Sequence, residues 1–423
     1  MRFILLLNLI VALTTLDAKA FNNNSGIGLT VSADGSGDVK TVQDAIDKIP
    51  ANNKKRFVIY IKQGFYKQQI NIPNNKPFVT FRGDNAEKTI LTFDLNNAKS
   101  GSTSASYSVY IGGHDFRAEN ITFENSFGKG SQAVAALVEA DRATFKNCRF
   151  IGWQDTLYAK NGRQFYQNCY IEGHVDFIFG QASAVFENCV IHSKGDGYIA
   201  APMRFAANEA SGFVFLKSKL TGANTEKGVF LGRPWRDYGR TVYIETEMGA
   251  HIKPEGWNNW LPEREKTAYF AEYKSTGAGA KPESRVKWIH QLSEAESKQF
   301  LPETFLKGAD GWNPKSDILL NSEVKKLSFQ PVEWKDVLKQ SKTWYSVDEA
   351  SRIADQVVIY QHDNGGWGKN VDMAAMLTQA EREKLLKEKT DTTETTIDNR
   401  STFTQVNYLA KVITASLAKT TPP

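Results

Sequence analysis

An internal repeat limits the folds open to this chain more than any other feature of its sequence. Three segments align without gaps, and their cysteines are 21 and then 20 residues apart (169 − 148 and 189 − 169). Each segment alternates apolar and polar residues, contains an aromatic residue and ends near a glycine, a pattern typical of β-strands. The segments are Phe145-Lys146-Asn147-Cys148, Tyr166-Gln167-Asn168-Cys169 and Phe186-Glu187-Asn188-Cys189.

The length of this repeat selects one class of fold. A period of about 20 residues fits one coil of a solenoid and is too short for a pair of helices. A leucine-rich repeat has a similar period, but its leucine and asparagine framework is absent from the sequence. The pattern therefore predicts an all-β, right-handed parallel β-helix, in which equivalent residues of successive coils stack about 4.8 Å apart.

Residues at one position of the repeat are expected to form ladders along the solenoid. The asparagine ladder, in a turn or in the interior, would hold Asn120, Asn147, Asn168 and Asn188. The three cysteines would form another ladder, at a spacing within the Cα range that a disulfide bridges. A Cys148–Cys169 disulfide is the preferred prediction, and a buried ladder of thiols that only pack is the alternative.

Two aspartates fall in the same register of adjacent coils. Asp155 lies seven residues after Cys148 (155 − 148), and Asp176 lies seven residues after Cys169 (176 − 169). Carboxylates this close repel each other unless one is protonated or a cation lies beside them. The pair is therefore predicted to carry acid–base or nucleophilic chemistry. Asp196 continues the row (196 − 189 = 7), but its glycine-rich surroundings indicate that this coil diverges.

Five motifs follow one another along the chain. They are Asp34-Gly35-Ser36-Gly37, Gln132-Ala133-Val134-Ala135, Gln154-Asp155-Thr156-Leu157-Tyr158, Asp176-Phe177-Ile178-Phe179-Gly180 and Leu231-Gly232-Arg233-Pro234-Trp235. In this order they resemble the pectin methylesterases of carbohydrate esterase family 8, which remove methyl groups from homogalacturonan. The resemblance runs from about Gly28 to about Pro314 and implies a parallel β-helix, in agreement with the repeat.

The resemblance also implies catalytic roles. Asp176 would be the nucleophile that attacks the C6 ester carbonyl and forms an acyl-enzyme. Asp155 would be the general acid that protonates departing methanol, and then the base that activates water. Gln132 and Gln154 would donate hydrogen bonds to the tetrahedral oxyanion, and Arg233 would pair with Asp176 and keep it ionised. A structural glutamine ladder is the alternative for Gln132 and Gln154.

Aromatic residues near these motifs are candidates for contact with sugar rings. Tyr158 and Trp235 match aromatic positions that line the cleft of the family, and packing against a loop is their alternative. Weaker candidates are Phe179, Trp153, Trp257 and Trp260. The expected partner is methyl-esterified pectin, bound by a monomer without a metal or another cofactor. The formal net charge of +5 suits an acidic polymer only modestly and is too mixed to indicate nucleic acid.

The N-terminus has the pattern of a targeting segment. Arg2 precedes an apolar run over residues 3–13, and Ala18-Lys19-Ala20 supplies a small-x-small cleavage pattern. The run is too short to span a bilayer, so residues 1–20 are predicted to be a signal peptide. Secretion to the periplasm or the exterior follows, and a membrane anchor is the alternative.

Two other functions are compatible with a β-helix. A calcium-dependent pectate lyase would need a carboxylate cluster for its metal, which only the row of Asp155, Asp176 and Asp196 could supply. The glutamine pair and Arg233 argue against this function. A catalytically inactive solenoid that binds carbohydrate is the second alternative.

The repeat stops past about Asn321, and the remainder has a different character. The sequence predicts an esterase-like β-helix over residues 21–320, a linker over 321–340 and a helical segment over 341–423. Helices are predicted over residues 334–339, 346–360, 380–389 and 406–417. A capping box, Ser346 with Glu349, supports the second of these helices.

Two motifs in the helical segment resemble the start of another family. They are Gly365-Gly366-Trp367-Gly368-Lys369-Asn370 and Thr396-Ile397-Asp398-Asn399. They are similar to the pectate lyases of polysaccharide lyase family 10, which fold as an α/α toroid. The match covers only about 85 residues, so lyase activity is not expected to follow from it. The segment is either part of a truncated bifunctional enzyme or an appendage, and a partial toroid is expected to expose apolar surface.

Overall fold

A computed structural model describes most of the chain. The described residues are 28–223, 225–318, 332–340, 344–346, 348–369, 371–375, 377, 379–393, 395–396 and 401–420. The predicted signal peptide and most of the predicted linker lie outside them.

Eleven parallel strands stack into the first sheet of the solenoid. In spatial order they are β1 Gly28–Val31, β2 Phe57–Ile61, β5 Val79–Gly83, β8 Arg117–Glu119, β11 Ala143–Lys146, β14 Arg163–Gln167, β16 Ser183–Glu187, β18 Gly212–Leu216, β21 Arg240–Ile244, β23 Tyr269–Tyr273 and β24 His290–Gln291. The order skips strands in the sequence because each coil returns to this face once.

A second sheet of 13 strands covers two further faces of the solenoid. One face holds β3 Gly64–Lys67, β6 Thr89–Phe93, β9 Thr122–Asn125, β12 Arg149–Ile151, β19 Lys219–Gly222 and β22 Glu247–Met248. The other holds β4 Ile70–Ile72, β7 Val109–Ile111, β10 Ala136–Val138, β13 Leu157–Ala159 and β20 Val229–Gly232. The long strands β15 Tyr170–Gly180 and β17 Val190–Pro202 join the two faces, because the first half of β15 pairs with β12 and its second half with β13.

The predicted parallel β-helix is therefore confirmed, and its core follows the repeat. The aromatic residue three positions before each cysteine points inward, and the rings stack through successive coils. The ring centroids of Phe145 and Tyr166 are 4.7 Å apart, as are those of Tyr166 and Phe186. Phe215 and Tyr243 continue the stack at 4.8 and 4.5 Å. This spacing equals the strand separation, so each coil places one ring directly on the ring of the coil before it.

The predicted asparagine ladder forms a turn between the first and second sheets. Asn147, Asn168 and Asn188 have φ values of 52°, 53° and 53°. Asparagine tolerates this left-handed conformation better than most residues, which explains its recurrence. The later coils use Lys217 and Glu245 at the same turn, with φ values of 50° and 48°.

The predicted Cys148–Cys169 disulfide is wrong. Cys148, Cys169 and Cys189 are all free and buried. In-register stacking keeps their Cβ atoms near the strand spacing of about 4.8 Å, whereas a disulfide needs about 3.5–4.5 Å between them. The thiols donate instead to backbone carbonyls, as Cys169 Sγ does to the oxygens of Phe145 and Gln167 at 3.5 Å. The alternative, a ladder of packed thiols, holds.

After β24 the chain runs back along the outer face of the first sheet. We call residues 292–318 the strap; its α-helices are α3 Glu294–Ser297, α4 Pro302–Phe305 and α5 Pro314–Ile318. Leu306 and Trp312 are buried against Val185 and Val214 of the sheet. Near its end, Asp310 accepts hydrogen bonds from Arg163 at 2.7 Å and from Arg142 at 3.0 Å. Two short α-helices lie earlier in the chain, α1 Val42–Asp47 and α2 Asn97–Ser100.

The C-terminal segment is helical, as predicted, and has its own core. Its α-helices are α6 Asp348–Ile359, α7 Gln379–Lys387 and α8 Ser401–Thr420. A short antiparallel pair, β25 Trp367–Gly368 and β26 Thr395–Thr396, lies between them. Tyr408 is fully buried, and its hydroxyl donates to the carbonyl of Ala350 at 2.8 Å. The side chains of the predicted capping box lie outside the described residues.

Two further predictions concern the surface and the boundary of this segment. Phe403, Val406 and Ile413 of α8 are each more than half exposed, as expected for apolar surface that a larger domain would cover. The 3₁₀ helix Trp334–Lys339 falls within the predicted linker, yet Val337 is fully buried in the core of the segment. The folded part of the segment therefore begins before residue 341.

Candidate active site

The ends of three successive coils bring the predicted catalytic side chains together. Gln132 pairs with Gln154 through a parallel bridge between neighbouring coils. Strand register pairs Leu157 with Ile178, which places Asp155 and Asp176 one coil apart. The repeat therefore positions the two glutamines and the two aspartates side by side, as the sequence predicts.

Both aspartates have backbone conformations that are uncommon for residues other than glycine. The φ angle is 64° at Asp155 and 51° at Asp176. Each left-handed residue costs roughly 1 kcal/mol or more, so surrounding contacts must hold it in place. The backbone N–H of Asp155 donates to the carbonyl of Val175 at 3.2 Å. Asp155 lies just before β13, and Asp176 lies inside β15.

Arg233 holds Asp176 through a bidentate pair. Its Nε donates to Asp176 Oδ1 at 2.9 Å, and its Nη2 donates to Asp176 Oδ2 at 2.6 Å. Such a fork fixes both the position and the charge of a carboxylate. Arg233 follows β20, whose register with β17 delivers it from two coils further along the solenoid.

Burial affects the two carboxyl groups unequally. Asp155 is 8% exposed and Asp176 6% exposed. The pKa of Asp155 is raised well above its usual range by desolvation and then by the charge of Asp176. Desolvation also raises the pKa of Asp176, but the hydrogen bonds and charge of Arg233 oppose that rise. The effect of burial on the pKa of Asp176 therefore outweighs that of the guanidinium, although the sequence argument considered the guanidinium alone. Asp155 holds its proton more strongly than Asp176 does.

The side-chain amides of Gln132 and Gln154 can still donate hydrogen bonds to a ligand. Both residues are partly exposed, and within the described part of the chain neither side-chain amide has a hydrogen-bond partner. The backbone of Gln132 is anchored, because its carbonyl accepts from the N–H of Asn97 at 2.9 Å. Amide donors on a fixed backbone can bind an oxyanion that forms between them.

Two aromatic rings enclose the guanidinium of Arg233. Its Cζ lies 3.8 Å from the ring centroid of Tyr198 and 3.9 Å from that of Trp260. Sequence reasoning ranked Trp260 as a weak candidate and missed Tyr198. The one available signal for Tyr198 was its position two residues after Asp196 in the carboxylate row. The sandwich restricts the rotation of Arg233 and so helps to orient Asp176.

The three predicted sugar-binding aromatics form one cluster with unequal exposure. Tyr158 and Phe179 are buried and stack at 4.1 Å. Trp235 is partly exposed, and its ring lies 5.8 Å from that of Phe179 and 6.4 Å from that of Tyr158. Of these three residues, Trp235 is therefore the one that can contact a ligand directly, while the buried rings of Tyr158 and Phe179 pack against it. Tyr107 and Tyr110 extend the cluster.

Asp196 is not part of this arrangement. The register of β15 with β17 shifts from Gly173–Ser193 to Val175–Tyr198, so three additional residues bulge out of β17. Asp196 lies in this bulge, and its Oδ1 accepts from the backbone N–H groups of Lys227 and Gly228 at 2.9 and 2.8 Å. The coil therefore diverges, as predicted, and Asp196 does not join Asp155 and Asp176 in one carboxylate cluster. Among the described residues, no group of three or more His, Cys, Asp or Glu could hold a metal ion.

The arrangement combines the parts needed for acyl transfer. Asp176, held by Arg233, lies one coil from Asp155, whose pKa burial raises further, and the amides of Gln132 and Gln154 and the aromatic cluster belong to the same coils. A carboxylate can attack an ester, and its protonated neighbour can release the alcohol.

Comparison with known proteins agrees with this chemistry. The pectinesterase profile matches residues 28–309. Pectinesterase 31 of Arabidopsis thaliana is 46% identical over 288 residues, which cover 65% of this chain and 91% of that relative. The structure of pectin methylesterase from carrot matches with a TM-score of 0.65 and 36% identity, over 68% of this chain and 96% of that chain.

Two further matches extend the comparison. A pectin methylesterase in complex with hexasaccharide VII matches with a TM-score of 0.58 and 29% identity, over 70% of this chain and 99% of that chain. A pectic acid lyase profile matches residues 361–420, which confirms the second predicted resemblance. Because the first profile spans well over half of the sequence and the Arabidopsis relative is covered almost entirely, this chain belongs to the pectinesterase family.

Proposed function

We propose that this protein hydrolyses the C6 methyl esters of homogalacturonan and releases pectate and methanol. The observation that carries the proposal is the pair of buried carboxyl groups one coil apart, of which one is held by Arg233 and the other has its pKa raised by burial and by the charge of Asp176. Membership of the pectinesterase family supports the reaction class.

The first half of the reaction forms an acyl-enzyme. An Asp176 oxygen attacks the ester carbonyl carbon, and the carbonyl electrons move onto the oxygen. The amides of Gln132 and Gln154 donate hydrogen bonds to that oxyanion. When the intermediate collapses, the bond to the methoxy oxygen breaks, and Asp155 gives its proton so that methanol leaves. The product is an anhydride between Asp176 and the galacturonic acid.

The second half restores the enzyme. Asp155, now a carboxylate, takes a proton from water as the water oxygen attacks the same acyl carbon. The anhydride bond then breaks, Asp176 leaves as a carboxylate paired with Arg233, and the free acid departs. Asp155 is protonated again, so one ester and one water become one acid and one methanol.

A polymeric sugar acid is the substrate class that the surroundings favour. Trp235 presents a partly exposed ring beside the carboxyl pair, and aromatic faces suit the apolar faces of sugar rings. A related pectin methylesterase has been solved in complex with a hexasaccharide, which supports an extended sugar chain at this cleft.

We further propose that the protein is exported. The proposal rests on the apolar run and cleavage pattern in residues 1–20. Separately, none of the described helices has the length and apolar character that crossing a membrane requires.

Methanol release from methylated pectin in the presence of a chelator tests the esterase function. The wild-type protein is expected to release methanol, and Asp176→Asn is expected to abolish the release. Asp196→Asn is the matched control from the same row of the repeat, because Asp196 only caps a turn. Turnover by Asp176→Asn at the wild-type rate would exclude the proposed nucleophile. Elimination products without methanol would indicate a lyase instead.

A further inference from the structure

A cavity of about 350 Å³ lies where the helical segment meets the first coils of the solenoid. It is separate from the carboxylate pair, because β3 at the cavity is four strands from β15 in the second sheet, a distance of roughly 19 Å. Small-molecule pockets begin at about 300 Å³ and occur preferentially between domains. The cavity has charged walls and one aromatic ring, supplied by Phe65, Glu87 and Lys88 of the solenoid and by Arg352, Asp355 and Arg382 of the segment.

Most of the charges that line this cavity already have partners. Lys88 pairs with Asp355 across the junction at 3.7 Å. The guanidinium of Arg352 donates hydrogen bonds within its own segment. The carboxylate of Glu87 lies 4.0 Å from the guanidinium of Arg149, and both of these residues are buried. These groups are therefore committed to holding the junction together.

Arg382 is the lining cation whose charge is not matched. Within the described part of the chain, its guanidinium forms no ion pair and no hydrogen bond. Burial lowers the pKa of Arg382, and the charges of Arg352 and Arg149 lower it further, against the opposing charges of Glu124 and Asp355. Arginine nevertheless stays charged at neutral pH. A desolvated cation without a partner is costly, so an anion brought by a ligand would be stabilising here.

Phe65 supplies the apolar wall of the cavity. Its ring is 44% exposed, because β3 turns Tyr66 into the core and the neighbouring Phe65 outward. The Cζ atom of Arg382 lies 5.7 Å from the centroid of this ring. An aromatic face suits the apolar face of a sugar ring, and a guanidinium suits a carboxylate. An exposed ring beside an unmatched guanidinium therefore favours a sugar acid.

We propose that this cavity binds an unesterified galacturonate unit, with the carboxylate on Arg382 and the sugar ring against Phe65. A guanidinium can donate two parallel hydrogen bonds to a carboxylate, whereas a methyl ester brings no charge. The choice of galacturonate among sugar acids rests on the esterase function proposed above, which produces such units. A ligand that contacts both parts binds only while they are docked, so it stabilises the docked state. The site would thus retain the protein on pectin that it has de-esterified.

Hydrogen exchange of the β3 amides tests the site, because trigalacturonate has no ester and is not turned over. In wild-type protein, trigalacturonate is expected to slow this exchange. At the same concentration, neither α-1,4-galactotriose, which lacks carboxylates, nor acetate, which lacks a ring, should do so. Arg382→Met should raise the Kd obtained from the titration by about tenfold, the effect of losing one charge-assisted hydrogen-bonded pair. Lys384→Met removes an exposed charge of the same helix and should keep the wild-type Kd.

A second variant keeps the proposal testable if Arg382→Met disturbs the segment. Phe65→Leu should raise the same Kd by about threefold, because it removes the aromatic face. Equal slowing by galactotriose would exclude the role of the carboxylate, and equal slowing by acetate would exclude the role of the sugar ring. Wild-type Kd values in both variants would exclude the site.

The site and the esterase function fail in different ways. Binding in the catalytic cleft slows exchange in β13 and β15, so it is read separately from binding at β3. Methanol release from methylated pectin without any slowing at β3 would overturn the site and leave the esterase function standing. Slowing at β3 in a protein that releases no methanol would overturn the esterase function and leave the site standing.

Discussion

The two carboxyl groups of the site differ because of a single neighbour. Both are buried, and burial alone would hold both of them protonated. Arg233 makes two hydrogen bonds to Asp176 and reaches Asp155 only through its charge. In the proposed mechanism, one position of the repeat therefore supplies both the nucleophilic carboxylate and the proton donor.

The protonated state of Asp155 leads to a prediction for activity and stability. Asp155→Asn removes the proton donor and should lower kcat for methanol release by about 10²–10⁴-fold. The folded protein binds the Asp155 proton more tightly than the unfolded chain does, so this residue stabilises the fold only below its raised pKa. Stability is lost as the pH rises through that pKa, and Asn avoids the loss.

Thermal unfolding followed from pH 5 to pH 9 checks this expectation. The melting temperature of Asp155→Asn should exceed that of wild type increasingly towards alkaline pH. Two curves that remain parallel across this range would show that Asp155 is ionised in the folded protein, contrary to the direction of its pKa.

Removal of the guanidinium should move the whole pH profile. The proposed mechanism needs Asp176 ionised and Asp155 protonated, so the pH profile is expected to have an acid limb and an alkaline limb. Arg233 opposes the rise of both pKa values. Arg233→Gln should therefore shift both limbs to higher pH, with the acid limb moving by about one to three units, the effect of a close opposite charge. Profiles of kcat/KM for the two proteins measure the shift, and an unmoved acid limb would contradict the pairing role.

At the residue scale, register and resemblance together were sufficient to predict that the carboxyl pair, the glutamines and Arg233 lie close together, while their catalytic roles stay predictions. The aromatic sandwich was not predictable, because Tyr198 follows a three-residue bulge and Trp260 comes from a loop after β22. Neither residue keeps the spacing of the cysteine repeat. Contacts that depend on departures from a repeat cannot be deduced from the repeat.

Among the elements, the asparagine turn shows how a local conformation fixes where a strand begins. A left-handed residue recurs between the first and second sheets in successive coils, and Asn147 Nδ2 reaches Asn120 Oδ1 at 3.5 Å. The turn lies just before the strands of one face of the second sheet, including β15, which carries Asp176. An error at one turn would therefore displace the site.

Substitution of a turn asparagine tests this argument. Asn168 has a φ of 53°, and Asn168→Ala should destabilise the protein by about 1 kcal/mol because alanine is strained in that conformation. Asn168→Gly is the matched control, since glycine adopts positive φ freely. Denaturant unfolding compares the two variants, and an alanine variant as stable as the glycine variant would contradict a conformational role for asparagine.

The cysteine ladder shows the limit of spacing arguments at this scale. The sequence placed the three thiols one coil apart, which is correct. The inferred disulfide failed because residues stacked in register hold their side chains parallel, and parallel Cβ atoms do not approach closely enough. The strap was also not predicted in detail, because its short helices carry no repeat and are fixed by packing on the first sheet.

On the scale of the whole molecule, the helical segment lies against the side of the solenoid. A cavity of about 350 Å³ separates them, lined by residues of both parts. Lys88 of the solenoid pairs with Asp355 of α6 at 3.7 Å, and Arg382 of α7 lies 5.7 Å from the Phe65 ring. These contacts are charged and partly exposed, so we expect salt to weaken the docking.

Charge reversal provides a test of this docking. Asp355→Lys places like charges at the Lys88 contact and should raise the hydrogen exchange of the amides in β3, while methanol release stays at the wild-type rate. Asp363→Lys makes the same change at an exposed aspartate of the same segment and should leave that exchange at the wild-type level. Equal exchange in all three proteins would indicate that the Lys88 contact does not hold the segment in place.

The buried thiols have a consequence for handling the protein and observing its motions. Because none of the three is bonded, refolding should need neither an oxidant nor an isomerase, and reducing agents should leave the melting temperature unchanged. The thiols lie in three consecutive coils, and the first two of these coils carry Asp155 and Asp176. A thiol-reactive dye can reach the buried thiols only when those coils separate. The labelling rate would therefore measure how often the solenoid opens near Asp155 and Asp176.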